Sequence, residues 1–406
     1  MMASRRAVPE GAPPFTVAAV GGVVVALATA LLSVTGVMAL LAGRVARRVV
    51  VPAPRIADLR LLDVDTAAQT ITVNRTADTV LPGRYGLFTS GTQDYVKIGT
   101  VLAADDASVT RKLLTEIGSE DRLAAEAAFS GWYYSSPDEL HVPYTSEVVP
   151  AAVGPCPAWL FPAPSQTDVW AIHVHGRGTT RSESLRAVPV FRSAGVTSLL
   201  VSYRNDGEAP RTRGGTYALG ATEWRDVDRA IDFALQRGAR RVVLMGWSMG
   251  GAIVLQAALN SAHRDRIAGV VLDSPVIDWR RVLMHQAGEI GVPAPLTRLA
   301  LDALQRRWAR TITGADVAIP LDRLDLVARA GELVHPVLLL HSSGDDFVPV
   351  SASRALAAAR PDIVEFDEFD TARHTKLWNY DEERWTASIR TWLDRVGITG
   401  AAGEGN

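Results

Sequence analysis

The chain predicts an α/β fold built on a mostly parallel sheet with helices on both faces. Three observations predict it. From about residue 140, short apolar runs alternate with segments of helical spacing. The runs are apolar throughout, as expected of strands buried on both faces. One of them, "VVLMGWSMGG", ends on a serine flanked by glycines and passes directly into a helix-compatible stretch.

Taken in order, residues 1–14 form an amino-terminal tail. Phe15 to Gly43, "FTVAAVGGVVVALATALLSVTGVMALLAG", is 29 residues without a charge. About 20 apolar residues span a bilayer as a helix, so 15–43 predicts a single transmembrane helix. A signal peptide is the alternative, with Val37-Met38-Ala39 as a cleavage pattern, but its apolar region is usually about 7–15 residues. Arg5 and Arg6 precede the run, offset by Glu10, and Arg44, Arg47, Arg48 and Arg55 follow it. The positive-inside rule then puts the carboxy-terminal side in the cytoplasm, with an extracytoplasmic or secreted domain as the alternative. Residues 44–57, with Pro52 and Pro54, read as a linker.

Residues 58–131 change to short β-like runs. "QTITVNRT" alternates, "LPGRYGLF" holds a turn and a short strand, and "DYVKIGTVL" and "ASVTRKLL" flank the turn Ala104-Asp105-Asp106. The module carries no catalytic constellation, and Asn74-Arg75-Thr76 is read as a chance sequon.

Residues 132–397 supply the β–α alternation. Strands are expected at 168–176, 197–203, 240–246, 268–275 and 335–343, and helices at Tyr217–Arg237, Met249–Ala262 and Ser351–Ala359. An insertion at 279–334 reads as two amphipathic helices around a break at Pro293 and Pro295, either a plain packing pair or a lid in which Leu283, Met284, Leu299 and Leu304 face an apolar pocket. Residues 398–406 are expected to be a disordered tail.

Composition excludes several classes. A net charge of −2 provides no basic field for nucleic acid. The single cysteine, Cys156, excludes an intramolecular disulfide and a multi-cysteine metal site.

The chemistry concentrates at Gly246-Trp247-Ser248-Met249-Gly250, a G-x-S-x-G between strand and helix. That context is what a nucleophile elbow requires, Gly246 and Gly250 permitting the tight turn. A serine hydroxyl needs a base, and the base an acid that orients it. For such an elbow the chain order is Ser, acid, His. His374, in "FDTARHTKLWNY" after the strand candidate "DIVEFDEF", sits where a loop returns over the serine. His263 and His285 fall in helical stretches and read as surface or lid residues, and His341 as support for the acid loop. Asp345 is the foremost acid, on a Gly-containing loop after a buried strand, with its neighbour Asp346 and with Asp273 as alternatives. The oxyanion needs preorganised N–H donors. The backbone N–H of Met249 is one, and that of Arg177, in "HVHGRGTT", is the second. His173 and His175 have the spacing of a metal pair, but no carboxylate or further histidine accompanies them, so no metal is expected.

Together "HVHGRG", "SYRNDGEAP", "GWSMGG", "LDSPV", "HSSGDDFVP" and "RHTKLWN" resemble the α/β-hydrolase superfamily, from about Leu140 to Gly397. Within it the chain looks like serine esterases and acyl peptidases with a short helical insert, similar to actinobacterial membrane-anchored hydrolases. In the family pattern H-[GS]-x-x-D-x-x-V-P the acid aligns with Asp345, and the family histidine with His374. Arg177 departs from the apolar or small residue many relatives carry. The resemblance implies a membrane-anchored serine hydrolase of carboxylic esters, lipid-like esters or thioesters, without cofactor or metal. An acyl peptidase or amidase with the same triad is the first alternative. A non-catalytic, membrane-anchored binding protein is the second.

Overall fold

A computed structural model describes residues 36–52, 55–89, 95–118 and 123–398. Most of the predicted membrane segment, 15–35, lies outside these residues, as do the tails 1–14 and 399–406. Among the described residues no helix is long and apolar enough to cross a membrane.

The chain enters through helix α1, residues 36–50. Its apolar residues recur at helical spacing, so Ala42, Ala46 and Val50 are buried on one face and Val37, Leu40 and Leu41 are exposed on the other. This corrects the linker at 44–57, because 44–50 is helical and packs into the main core. Pro52 follows the end of the helix.

Six strands follow: β1 (Leu59–Asp65), β2 (Thr70–Asn74), β3 (Tyr85–Thr89), β4 (Tyr95–Ala104), β5 (Ser108–Leu113) and β6 (Glu126–Ser130). They close into an antiparallel barrel in the order β1-β2-β5-β4-β3-β6. Closure leaves no free edge, and alternate residues such as Ile71, Val73, Val109 and Leu113 fill the interior. Arg111 is fully buried there without a carboxylate partner. Its guanidinium instead donates to the carbonyls of Thr79, Leu81, Gly83 and Gly99 at 2.8–2.9 Å. Burial pushes it down to about 10. The side chain thereby ties down the loop 79–83.

The second sheet has eight strands in the order β14-β13-β12-β11-β9-β10-β8-β7. Its edge hairpin, β7 (Thr145–Ala151) and β8 (Gly154–Phe161), was not apparent in the sequence and runs antiparallel to β10 (Thr197–Val201). The parallel part comprises β9 (Val169–Val174), β10, β11 (Arg241–Trp247), β12 (Ile267–Asp273), β13 (Val337–Ser342) and β14 (Val364–Phe369). Successive residues feed opposite cores, as with Val242 and Leu244 against Val243 and Met245. Helices α3 (Trp224–Gln236) and α4 (Met249–Asn260) cover one face. Helices α2 (Val188–Ser193), α9 (Leu377–Tyr380) and α10 (Glu382–Arg395) cover the other. Two helix ends are shorter than predicted: 217–223 is irregular, with turns from 219, before α3, and α4 stops at Asn260. Helix α8 spans Ser351–Ala359 as expected. Ile398, assigned to the tail, is buried against α10.

The insertion holds α5 (Trp279–Glu289), α6 (Ala294–Gln305) and the single turn α7 (Arg310–Thr313). Pro295 sits inside the first turn of α6, where its missing N–H costs no helical bond, so the break lies at 290–293.

Candidate active site

Strands β9 and β11 are neighbours whose following helices, α2 and α4, go to opposite faces of the sheet. That reversal opens a crevice beyond the strands' carboxyl ends, where parallel sheets place ligands. The turn after β11 puts Ser248 at its floor. Ser248 adopts φ 51°, ψ −117°, a strained conformation for a residue with a Cβ. The flanking glycines are steric necessities. A Cβ on Gly250 would lie 2.1 Å from the Val174 carbonyl oxygen, and one on Gly246 2.4 Å from that of Gly250.

The loop after β14 brings His374 over the serine. Its Nε2 lies 2.9 Å from Ser248 Oγ, and its Nδ1 2.7 Å from Asp345 Oδ2. Asp345 Oδ2 also faces His341 Nε2 at 3.1 Å, and Oδ1 accepts from the N–H groups of Phe347 and Val348 at 2.9 and 2.8 Å. Burial alone would raise the Asp345 carboxyl. The charge of His374 and the hydrogen bonds from both imidazoles reverse the sign and hold it well below the usual carboxylate range. His341 is buried, with Nε2 between two acceptors, Asp345 Oδ2 and the Val348 carbonyl, and Nδ1 2.7 Å from Ser353 Oγ. The neutral tautomer protonated on Nε2 satisfies all three contacts.

The other acids stand apart from His374. Asp346 is exposed and ion-paired with Arg373. Asp273 is buried, held by Trp385 Nε1 and Ser274 Oγ at 2.9 Å, and its carboxyl is raised by burial. His285, on α5, meets the Asp346 carbonyl at 2.8 Å, so the lid braces the acid loop. His263 is a partly exposed partner of Asp232. His173 pairs with Ser198 Oγ and His175 with Asp206, and no cluster of residues that could hold a metal occurs among the described residues.

Met249 begins α4, so its N–H belongs to the helix's positive end. Gly176 and Arg177 line the same cavity as Ser248. The loop carrying them is braced by Glu183, whose Oε2 accepts from the Gly176 N–H at 2.7 Å and Thr179 Oγ1 at 2.9 Å, and by Tyr203, whose hydroxyl reaches the Gly176 carbonyl at 3.0 Å. None of these braces was singled out from the sequence, although "SYRNDGEAP" holds the beginning of that support. The Arg177 side chain turns to α1 and donates through Nη2 to the carbonyls of Arg48 and Val51, both at 2.9 Å. It thus occupies the carbonyl end of that helix, where a cation is favoured.

The cavity measures about 520 Å³ and has walls from three parts of the chain. Val45, Ala46 and Val49 come from α1, and Val282, Leu283, Ala300, Leu301 and Leu304 from the lid. Asp78, Phe129 and Ser130 come from the barrel. Of the four lid residues expected there, Leu283 and Leu304 line it. Met284 packs beside the core and Leu299 faces outward, because the helical phase places them off the buried stripe. The barrel docks on the segment that follows His374. Lys376 pairs with Asp78 at 3.3 Å, and Asn379 Nδ2 donates to the Arg84 carbonyl at 2.8 Å. A Cβ on Gly83 would lie 1.9 Å from the Asn379 carbonyl oxygen.

Residues 171–389 match the α/β-hydrolase family model, more than half of the chain, and the protein belongs to that family. Residues 60–130, the barrel, match a family described as a domain of unknown function, DUF8805. The uncharacterized protein YqkD of Bacillus subtilis is 24% identical over 260 residues, covering 62% of this chain and 80% of that protein. An uncharacterized protein of Mycobacterium tuberculosis, Rv2307c, is 24% identical over 248 residues, 60% of this chain and 76% of its own. An esterase of Pyrococcus furiosus has the same fold, with a TM-score of 0.50 and 16% identity over 64% of this chain and 94% of its own.

Proposed function

We propose that the protein is a serine hydrolase of carboxylic esters with an apolar acyl group, working through Ser248, His374 and Asp345. The observation that carries this reading is the unbroken relay from Ser248 Oγ through both nitrogens of His374 to Asp345, at the floor of an apolar cavity. His374 Nε2 takes the serine proton as Oγ attacks the ester carbonyl, and Asp345 keeps the remaining proton on Nδ1 and stabilises the imidazolium. The Met249 and Arg177 N–H groups hold the oxyanion. His374 returns the proton to the departing alcohol, and water then cleaves the acyl-enzyme by the same proton path. No cofactor enters these steps.

A fluorophosphonate probe tests the chemistry: the wild-type chain should label and Ser248→Ala should not. Equal labelling, or none, refutes the enzyme and leaves a binding protein. An ester series of increasing chain length, set beside aminoacyl amides, tests the substrate, and preference for the shortest esters or for amides overturns the lipid-like ester. We also propose residues 15–43 as a membrane anchor with the catalytic domain cytoplasmic. A reporter fused after Arg48 that is active only in the periplasm would reverse that topology.

A further inference from the structure

A second apolar groove lies outside the catalytic cavity, between the first turns of α1 and the outer side of the lid. Met38, Ala39 and Ala42 face Leu299, Ala303, Trp308 and Ile312 across it. The surroundings are unusual for a water-facing surface. Trp308 is 69% exposed, and Val37, Leu40, Leu41, Leu299 and Ile312 are exposed beside it. Arginines flank these residues along the chain: Arg44 and Arg47 on α1, and Arg298, Arg306, Arg307 and Arg310 on the lid, with Arg306 and Asp302 lining the groove itself. All six arginines are exposed, and none has a carboxylate within ion-pair reach among the described residues.

We propose that this face rests in the headgroup layer of an anionic bilayer, with Trp308 and Ile312 inserted. Three observations commit the surface to lipid rather than to a protein partner. The uncharged run from Phe15 extends in sequence into α1, whose first described turns carry Met38 and Ala39 at the groove, so the preceding chain joins the domain at this edge. An exposed tryptophan with aliphatic neighbours suits the bilayer interface, where an amphipathic ring sits at headgroup level. Unpaired arginines around it suit anionic headgroups. Helix α6 turns Ala300, Leu301 and Leu304 to the catalytic cavity and Leu299, Asp302 and Ala303 to the outer groove. The cavity is therefore separated from the docked surface by one helix, about 10 Å thick. A lipid-like ester drawn from the docked bilayer would then have only this helix to pass on its way to Ser248. In that last respect the inference rests on the proposed ester substrate; the docking itself does not.

The single cysteine, Cys156, is buried, so a Cys156→Ser background allows one label at a time in the full chain. Bimane is placed by Trp308→Cys, Ile312→Cys, Val24→Cys and Val334→Cys, and the protein is reconstituted in phosphatidylglycerol-containing nanodiscs with brominated lipid. Val334 is the control, exposed just before β13 and so at the amino ends of the parallel strands, away from Ser248 at their carboxyl ends. Labels at 308 and 312 should be quenched several-fold more than the label at 334. Quenching at 24 but not at 308 or 312 overturns the docked face while leaving the anchor. Quenching at 308 and 312 but not at 24 supports the face and refutes the anchor. Trp308→Glu should lower kcat/KM on a vesicle-embedded ester about tenfold and leave a soluble short-chain ester unaffected; equal loss on both refutes the docking role.

Discussion

Replacing Asp345 with asparagine removes an acceptor that four N–H groups share. Phe347 and Val348 donate to Oδ1, and His374 and His341 face Oδ2. An amide has one oxygen, so one pair must meet its NH2. With the NH2 toward the backbone, two fixed N–H donors are left unsatisfied, at about 1–3 kcal/mol each. With the NH2 toward the imidazoles, His374 relieves the conflict by moving its proton to Nε2, and it then donates to Ser248 Oγ instead of accepting from it. The second arrangement costs less, and it is the inactive one. We expect kcat to fall by about 10⁴-fold, the general magnitude for a triad locked in the wrong tautomer, or about 5.5 kcal/mol of barrier. Loss of the charge-assisted bonds should also destabilise the fold by about 2–4 kcal/mol. Ester hydrolysis and the fluorophosphonate labelling rate measure the first effect, and denaturant unfolding the second. Asp346→Asn, on the exposed neighbour, should stay within about twofold of wild type. A folded Asp345→Asn variant keeping more than a tenth of wild-type kcat/KM, or an Asp273→Asn variant falling as far, would refute the assignment.

Other outcomes follow from particular contacts. Gly250→Ala places a methyl against the Val174 carbonyl at the turn, so it should abolish activity and lower the thermal midpoint, read by hydrolysis and calorimetry. Arg177→Met keeps the backbone N–H but frees the carbonyl end of α1; KM should rise with kcat nearly retained, and trypsin should cut faster at Arg44, Arg47 or Arg48. A large fall in kcat alone would instead place the guanidinium in the chemistry. Arg111→Met unties the loop 79–83 that meets Asn379, so activity should drop several-fold although the change lies inside the barrel; unaltered activity with lower stability would uncouple the two modules. His173 is fully buried, and desolvation lowers it from 6.5 to about 3. Below pH 6.5 the unfolded chain binds a proton that the native chain refuses, so stability present above that pH is lost as pH falls, by at most about 1.4 kcal/mol per pH unit. His173→Gln should flatten this acid limb in denaturant titrations; an unchanged slope would exclude His173 as its source.

The α/β alternation and the elbow were legible because each is local. Strands buried on both faces must be apolar throughout, and a serine forced into positive φ needs glycines where any Cβ would strike backbone. The order of Ser248, Asp345 and His374 was legible because chain order is itself part of the pattern. The β7–β8 hairpin was not, since "EVVPAAVGPCPAWLF" is interrupted by Pro150, Pro155 and Pro157, which the sheet tolerates because the ladder from β8 to β10 covers only Ala158–Phe161.

What sequence alone determined is therefore the set of candidate residues that the fold brings together and the existence of a separate β-rich module. Tertiary structure decided what surrounds those groups. Barrel residues Asp78 and Phe129 reach the cavity of Ser248 from more than a hundred residues away, α1 becomes its wall, and the Arg177 guanidinium caps the carbonyl end of that helix. Such contacts depend on how closed units dock, and docking is set by surfaces assembled from several elements. No period or spacing along one segment encodes them.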